Sequence, residues 1–275
     1  MVVHEQSHDA TLVIRPMGIG EILDAGFSLA RNHFRLLVTI VAWGVIPGQA
    51  LGAIGALMLS GFDEISVTET LTVGLLLGSV LSAFGGTLAV FALQIAVAKL
   101  IDPSASEVPM RPWPLYRAGI GRMFFWAIFV LVLVIAAIPL FVLFPLGIYL
   151  MVRWSLLFIP FVVEQKGPVT AMKRSWALTS RAWWHTALVL GITSLVMSVL
   201  QGAIGAVLAF AGLVLGGVAG GAASGFATLL AQSVAGVLFS PFSIAIYTVL
   251  YYELRARNEG FDLTQRSQQM LSPRE

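Results

Sequence analysis

Six runs of nearly uninterrupted apolar residues constrain this chain more than any other feature. They lie at about 36–59, 71–98, 123–140, 142–163, 185–212 and 227–252. Each approaches or exceeds the ~20 residues that an α-helix needs to cross a ~30 Å hydrocarbon core. A backbone in lipid must satisfy its own hydrogen bonds, so such runs fold as helices. Charge is correspondingly scarce: 11% of 275 residues, with a mean hydropathy of +0.89. Soluble domains carry about 25% charged residues. The expected fold is all-α, a polytopic membrane protein with six transmembrane helices arranged as three hairpins. "AAIPLFVLFP" (136–145) makes the turn between the third and fourth runs, with a single re-entrant hairpin as the alternative.

The basic residues orient these runs. Arg15, Arg31 and Arg35 precede the first; Lys99, Arg111, Arg117 and Arg122 separate the second from the third. Lys166, Lys173, Arg174 and Arg181 separate the fourth from the fifth, and Arg255, Arg257, Arg266 and Arg274 follow the sixth. The intervening connections carry none. By the positive-inside rule both termini are cytoplasmic. Fifteen of the sixteen basic residues obey this pattern, and Arg153, inside the fourth run, is the exception.

A short amphipathic segment on the cytoplasmic side precedes each pair of runs: 18–34, 114–125 and 167–184. In the first, Ile22, Leu23, Phe27 and Ala30 share a helical face; in the third, Ala171, Met172, Trp176 and Trp183 do. Gly18 aligns with Gly167, and Phe34 with Trp183. The second segment is shorter and matches poorly. The expected organisation is therefore an interfacial helix plus hairpin, three times over. Its parts are an N-terminal tail (1–17), unit one (18–99), unit two (100–164), unit three (165–255) and a C-terminal tail (256–275).

Between spans, lipid gives no hydrophobic drive, so small residues should mediate contact. Gly74, Gly78, Ser82 and Gly86 offer this in the second run, and Ser198, Gly202, Gly205 and Ala209 in the fifth. Pro47, Pro139, Pro160 and Pro241 should bend or end helices.

Motifs that suggest chemistry fail on context. "HEQSH" (4–8) matches a zinc-protease pattern but lies in a polar tail without helical periodicity. "AASGF" (222–226) would need a histidine base within the bilayer to serve as a nucleophile segment, and no span carries one. "GIGEIL" (18–23) follows no strand. No catalytic residue, metal site, cofactor or nucleic-acid surface is expected.

Arg153 is the one charge that lies well inside a span. Counted along one helix it lies eleven residues, about 16 Å, from Glu164, near the bilayer midplane. A charge there costs ~2.5–3.5 kcal/mol on insertion scales. Three arrangements would satisfy it. It could bond carbonyls freed by proline breaks and neighbouring glutamines. It could line an anion or lipid site with Trp154, Gln94 and Gln232. Or the span could be shifted, so that Arg153 snorkels to an interface beside Trp154.

Three blocks resemble a known family: "RPMGIGEILDAGFSLARNHF" (15–34), "VRWSLLFIPFVVEQKGPVTAMKRSWALTSRAWW" (152–184) and "YYELRARNEGFDL" (251–263). They are similar to the bacterial membrane-domain family first described in glycerophosphoryl diester phosphodiesterases. The resemblance implies a bacterial plasma-membrane location and a stand-alone member, since full enzymes of that name carry a separate metal-binding barrel domain. It also implies signature positions at Arg153, Trp154, Glu164, Arg174, Ser175, Trp176 and the "YYELRARNEGFD" block.

The expected function is a non-enzymatic membrane protein that binds anionic lipid headgroups, partner membrane proteins or a second copy of itself. Lys173, Arg174, Trp176, Arg181, Trp183, Trp184, Arg255 and Arg257 would make interfacial contacts. The alternative is a transporter or permease component moving an anionic or lipidic solute, with Arg153 in the pathway.

Overall fold

The computed structural model describes residues 16–59, 67–122, 144–216 and 221–259. Every long element among them is helical: α1 (Ile19–Asn32), α2 (Phe34–Leu59), α3 (Val67–Ile101), α4 (112–122), α5 (Phe144–Trp154), α6 (Phe158–Val162), α7 (Pro168–Thr179), α8 (Trp183–Gly216) and α9 (Gly221–Glu259). Four of them, α2, α3, α8 and α9, are long and apolar enough to cross a membrane. The chain is a helical, multi-pass membrane protein. At 39 residues α9 is about 58 Å long, far more than the hydrocarbon core spans. It also packs against α1, α2, α3, α7 and α8, which makes it the axis of the bundle.

The six expected spans do not appear as six long helices. The run at 123–140 lies outside the described residues. The run at 142–163 is broken into α5 and α6 at residues 155–157. Proline chemistry explains the break. Pro160 has no N–H for the Leu156 carbonyl. That carbonyl accepts from Ile159 instead (3.1 Å), and Trp154 accepts from Leu157 (3.1 Å), so two tight i→i−3 turns replace a helical one. Pro47 and Pro241, by contrast, lie inside α2 and α9 without ending them. Pro139 lies outside the described residues.

Small residues pack differently from expectation. Gly44 of α2 and Gly85 of α3 meet backbone to backbone, so that a Cβ on either would strike the carbonyl of the other, while Gly86 has room for a Cβ. On α8, a Cβ at Gly202 or Gly205 would meet nothing within 4 Å among the described residues; the side-chain positions of Gly74, Gly78, Ser82 and Ala209 lie outside the described residues.

The repeat is sharper in three dimensions than in sequence. Gly18 and Gly167 are the N-caps of α1 and α7, both in extended conformation. The cap carbonyl accepts from the fourth residue onward in all three units: Ile22 to Gly18 (3.0 Å), Leu115 to Arg111 (3.4 Å) and Ala171 to Gly167 (2.8 Å). Buried positions in α1 are Ile22, Gly26, Leu29 and Ala30, and in α7 Ala171, Ser175, Leu178 and Thr179. Both sets fall four, eight, eleven and twelve residues after the cap. The long helix then starts sixteen residues after the cap, at Phe34 and at Trp183. In α4, Leu115 and Gly119 are buried at the same four and eight. The inner face is thus rotated by about one position from the predicted one: Phe27 and Trp176 are exposed, and Trp183 belongs to α8.

The eighth position is small in every unit because it is the point of closest approach. A Cβ on Gly26 would lie 2.6 Å from the Ile246 Cα in α9, and one on Gly119 3.0 Å from the Phe91 Cβ in α3. Ser175 donates to the Arg153 carbonyl of α5 at 2.7 Å. Each amphipathic helix therefore packs on the last helix of the preceding unit, and α1 closes the cycle on α9. It runs along that helix, with Phe27 and Phe34 both against Phe242.

Candidate functional site

The end of the bundle that carries the basic residues holds two linked polar clusters. The first is built on Glu164, just after α6. A reversal at Gln165, the one positive-φ residue other than glycine among the described residues (54°), turns the chain back into α7. Lys166 Nζ lies 2.6 Å from the Glu164 carboxylate, Arg174 Nη2 3.4 Å and Arg255 Nε 3.9 Å. The Tyr251 hydroxyl donates to it as well. Burial would raise the Glu164 carboxyl, but the bonds from Lys166 and Tyr251, with the charges of Arg174 and Arg255, outweigh it. They hold the group below the usual carboxylate range.

The second cluster centres on Glu253, whose side chain is fully buried. Its Oε1 accepts from Arg257 Nη2 (2.6 Å), Arg257 Nε (2.9 Å) and the Met17 backbone N–H (3.3 Å). Arg257 also donates to the Met17 carbonyl (3.3 Å), so the segment leading into α1 is clamped to the end of α9. His185 Nε2 faces the other carboxylate oxygen at 3.6 Å. Asn258 donates to the Leu178 carbonyl at 3.0 Å and so caps α7.

Arg153 belongs to the same end. Its Nε and Nη2 donate to the Tyr149 hydroxyl (3.0 and 2.6 Å), and Nη1 to the Trp176 carbonyl (3.5 Å). The guanidinium carbon stands 4.9 Å from the centroids of both the Tyr149 and Trp176 rings. The Trp176 carbonyl is available because Ser180 donates to Ala177 instead, tightening the last turn of α7. A cation at that C-terminus also complements the helix dipole. Arg153 and Glu164 thus meet the same turn of α7, through Trp176 and Arg174. The run along which a midplane position was counted is not one straight helix but is broken at 155–157. The acceptors of Arg153 are uncharged, but they are a tyrosine and a helix terminus rather than freed carbonyls or glutamines.

Of the residues expected to form an anion site with Arg153 (Trp154, Gln94 and Gln232), none is described in contact with its guanidinium. Gln94 donates to Thr248 between α3 and α9 at 2.8 Å, away from Arg153, and the Gln232 side chain lies outside the described residues. The expected interfacial contacts divide in two. Arg174 and Arg255 serve Glu164, and Arg257 serves Glu253. Trp183 stacks on Tyr149 (5.8 Å) and bonds its carbonyl. Lys173, Arg181, Trp176 and Trp184 are exposed.

No known protein family, characterised protein or solved structure matches this chain. The site must therefore be read on its own geometry. The three sequence blocks singled out above converge here: Met17 from the first, Arg153 through Trp176 from the second, and Tyr251 through Asn258 from the third. Sequence reasoning missed Tyr149, His185 and Met17. Tyr149 and Arg153 are four apart on one helix, a spacing that puts a phenol beside a guanidinium. Nothing in the sequence pairs residue 17 with residue 253.

Below this end, α3, the α5–α6 break, α6, α8 and α9 line an open cavity of ≈ 380 Å³. Its polar lining includes Gln94, Ser155, Gln201, Ser240 and Tyr247.

Proposed function

We propose that this chain is a non-enzymatic protein of the bacterial plasma membrane that gathers anionic lipid headgroups at its cytoplasmic face. The reading takes the full topology as six spans in three hairpins with both termini cytoplasmic. It takes the protein as a stand-alone member of the membrane-domain family that its three blocks resemble. One observation carries it: each unit exposes two cations at the basic end. They are Arg31 and Arg35, Arg111 and Arg117, and Lys173 and Arg181. None of the six takes an ion pair among the described residues. The other described cations are committed within the chain, to Glu164, Glu253, Tyr149 and Trp176 and, for Lys99 and Arg122, to the Val108 and Phe161 carbonyls and Gln165, which leaves these six for the leaflet. Each is worth ~1 kcal/mol near an anionic surface, and the exposed Trp184 suits the headgroup layer.

The alternative is a transporter or permease component for an anionic or lipidic solute, with Arg153 in the pathway. Three donations from Arg153 to Tyr149 and Trp176 favour the first reading.

Binding of the purified protein to a soluble, fluorescent short-chain phosphatidylglycerol tests the proposal. Affinity should fall with salt, and Lys173→Gln with Arg181→Gln should weaken it by about tenfold or more. Undiminished binding in that double variant, or equal binding of a phosphatidylcholine probe, overturns it.

A further inference from the structure

The cavity below the basic end differs in chemistry from the surface above it. Among its described lining residues there is no Asp, Glu, Lys, Arg or His. Along α9 it extends from Gly236 to Tyr247, about 16 Å at ~1.5 Å per residue. Val90, Phe158, Ile159 and Ile244 make its walls largely apolar. Its volume lies within the ~300–1,000 Å³ of small-molecule sites, which combine apolar walls with a few placed polar groups.

One of those polar groups is left unsatisfied and a second is held in place. The Ser240 hydroxyl is buried and takes no partner among the described residues. A buried polar group left this way destabilises a protein unless a ligand or water completes it. Gln94 is 2% exposed. Its amide donates to Thr248 Oγ1 at 2.8 Å, and that hydroxyl donates onward to the Ile244 carbonyl at 2.6 Å, which fixes the amide against α9.

We propose that this cavity binds an uncharged, hydroxyl- or ester-bearing glycerolipid of the diacylglycerol class, drawn from the bilayer. An anion would need a cation in the wall, and Arg153 is spent elsewhere. A cation would need a carboxylate, and Glu164 and Glu253 are both spent. Hydroxyls and esters match an amide and a serine hydroxyl, and an acyl chain matches a long apolar slot. Gln201, half-buried on α8, is flanked by the exposed apolar Val199 and Leu200, which sets the mouth on the lipid side. This site is independent of the headgroup surface.

The test uses the full-length protein in phosphatidylcholine nanodiscs, with trace photoactivatable diacylglycerol or phosphatidylglycerol of equal chain length. The diacylglycerol probe should label peptides from 236–247 and 90–94 about 5-fold more strongly, a difference worth about one hydrogen bond. Unlabelled diacylglycerol should compete. Gly236 lines the cavity and a Cβ there would meet nothing within 4 Å among the described residues, so Gly236→Leu should occupy the cavity and abolish labelling. Gln94→Leu keeps the shape and should reduce labelling of diacylglycerol alone; it decides the matter if Gly236→Leu does not fold. Equal labelling by both probes, undiminished labelling in the folded variant, or protection by free glycerol as strong as by diacylglycerol overturns the proposal.

Discussion

Replacing Gly26 by alanine probes the register on which the packing of the three units depends. The new Cβ would lie 2.6 Å from both Cα and Cγ1 of Ile246 and 2.9 Å from its backbone nitrogen. Carbon atoms pack at ~3.5–4.0 Å, so α1 must withdraw from α9 by about 1 Å. Overpacking costs ~1–3 kcal/mol. The obstacle here includes backbone, which cannot rotate aside, so the upper part of that range applies. Helix propensity returns about 1 kcal/mol, because alanine suits a helix interior better than glycine. The net is a loss of about 1–2 kcal/mol. Gly20, on the same helix, has nothing within 4 Å of its Cβ position. There the same substitution should stabilise by about 0.5–1 kcal/mol. Gly119→Ala, with the Phe91 Cβ at 3.0 Å, should fall between. Thermal unfolding of the full-length variants in one detergent, followed by circular dichroism, gives the ranking. If Gly26→Ala proved as stable as Gly20→Ala, the close approach of α1 to α9 and the shared eighth-position register would be wrong.

Glu164 and Arg153 provide two more tests. Glu164→Gln should destabilise by roughly 2–3 kcal/mol near neutral pH. That is below the ~3–5 kcal/mol of a fully buried pair because the side chain keeps 13% exposure. Because the folded-state pKa of Glu164 is lowered, its contribution is fully present above the usual carboxylate range and is lost as pH falls through the folded value. Wild type and variant should therefore converge in acid, and a constant gap from pH 7 down to pH ~3 would show that charge is not the cause. Arg153→Lys keeps the charge but loses the flat fork stacked between Tyr149 and Trp176, and should cost about 1–2 kcal/mol. Binding of the phosphatidylglycerol probe should be unchanged in that variant, and a selective loss of binding would return Arg153 to a ligand-binding role.

Much of this architecture was legible as pattern. The apolar runs marked α2, α3, α8 and α9 to within a few residues at most ends, because a helix in lipid needs length and lack of charge and little else. The cap-to-cap alignment of Gly18 with Gly167 was also readable, since a non-helical cap before an amphipathic stretch is a local signal. The inner face of α1 was misread by about one position. Phe27 is more apolar than Gly26, yet close packing selects for smallness, and hydrophobic periodicity does not register that. The fourth span was read as one helix because its composition is uniform, whereas Pro160 and the turns before it decide its path.

The sequence by itself determined that the chain lives in a membrane and where its four long apolar helices run. Those properties follow from solvation, which acts residue by residue. Only the tertiary structure decided which groups Arg153 meets, that Met17 is held by Glu253 and Arg257, and that residues from three units line a cavity with no charged side chain among its described residues. These depend on residues up to 240 positions apart meeting at a few ångströms. No local preference records that distance.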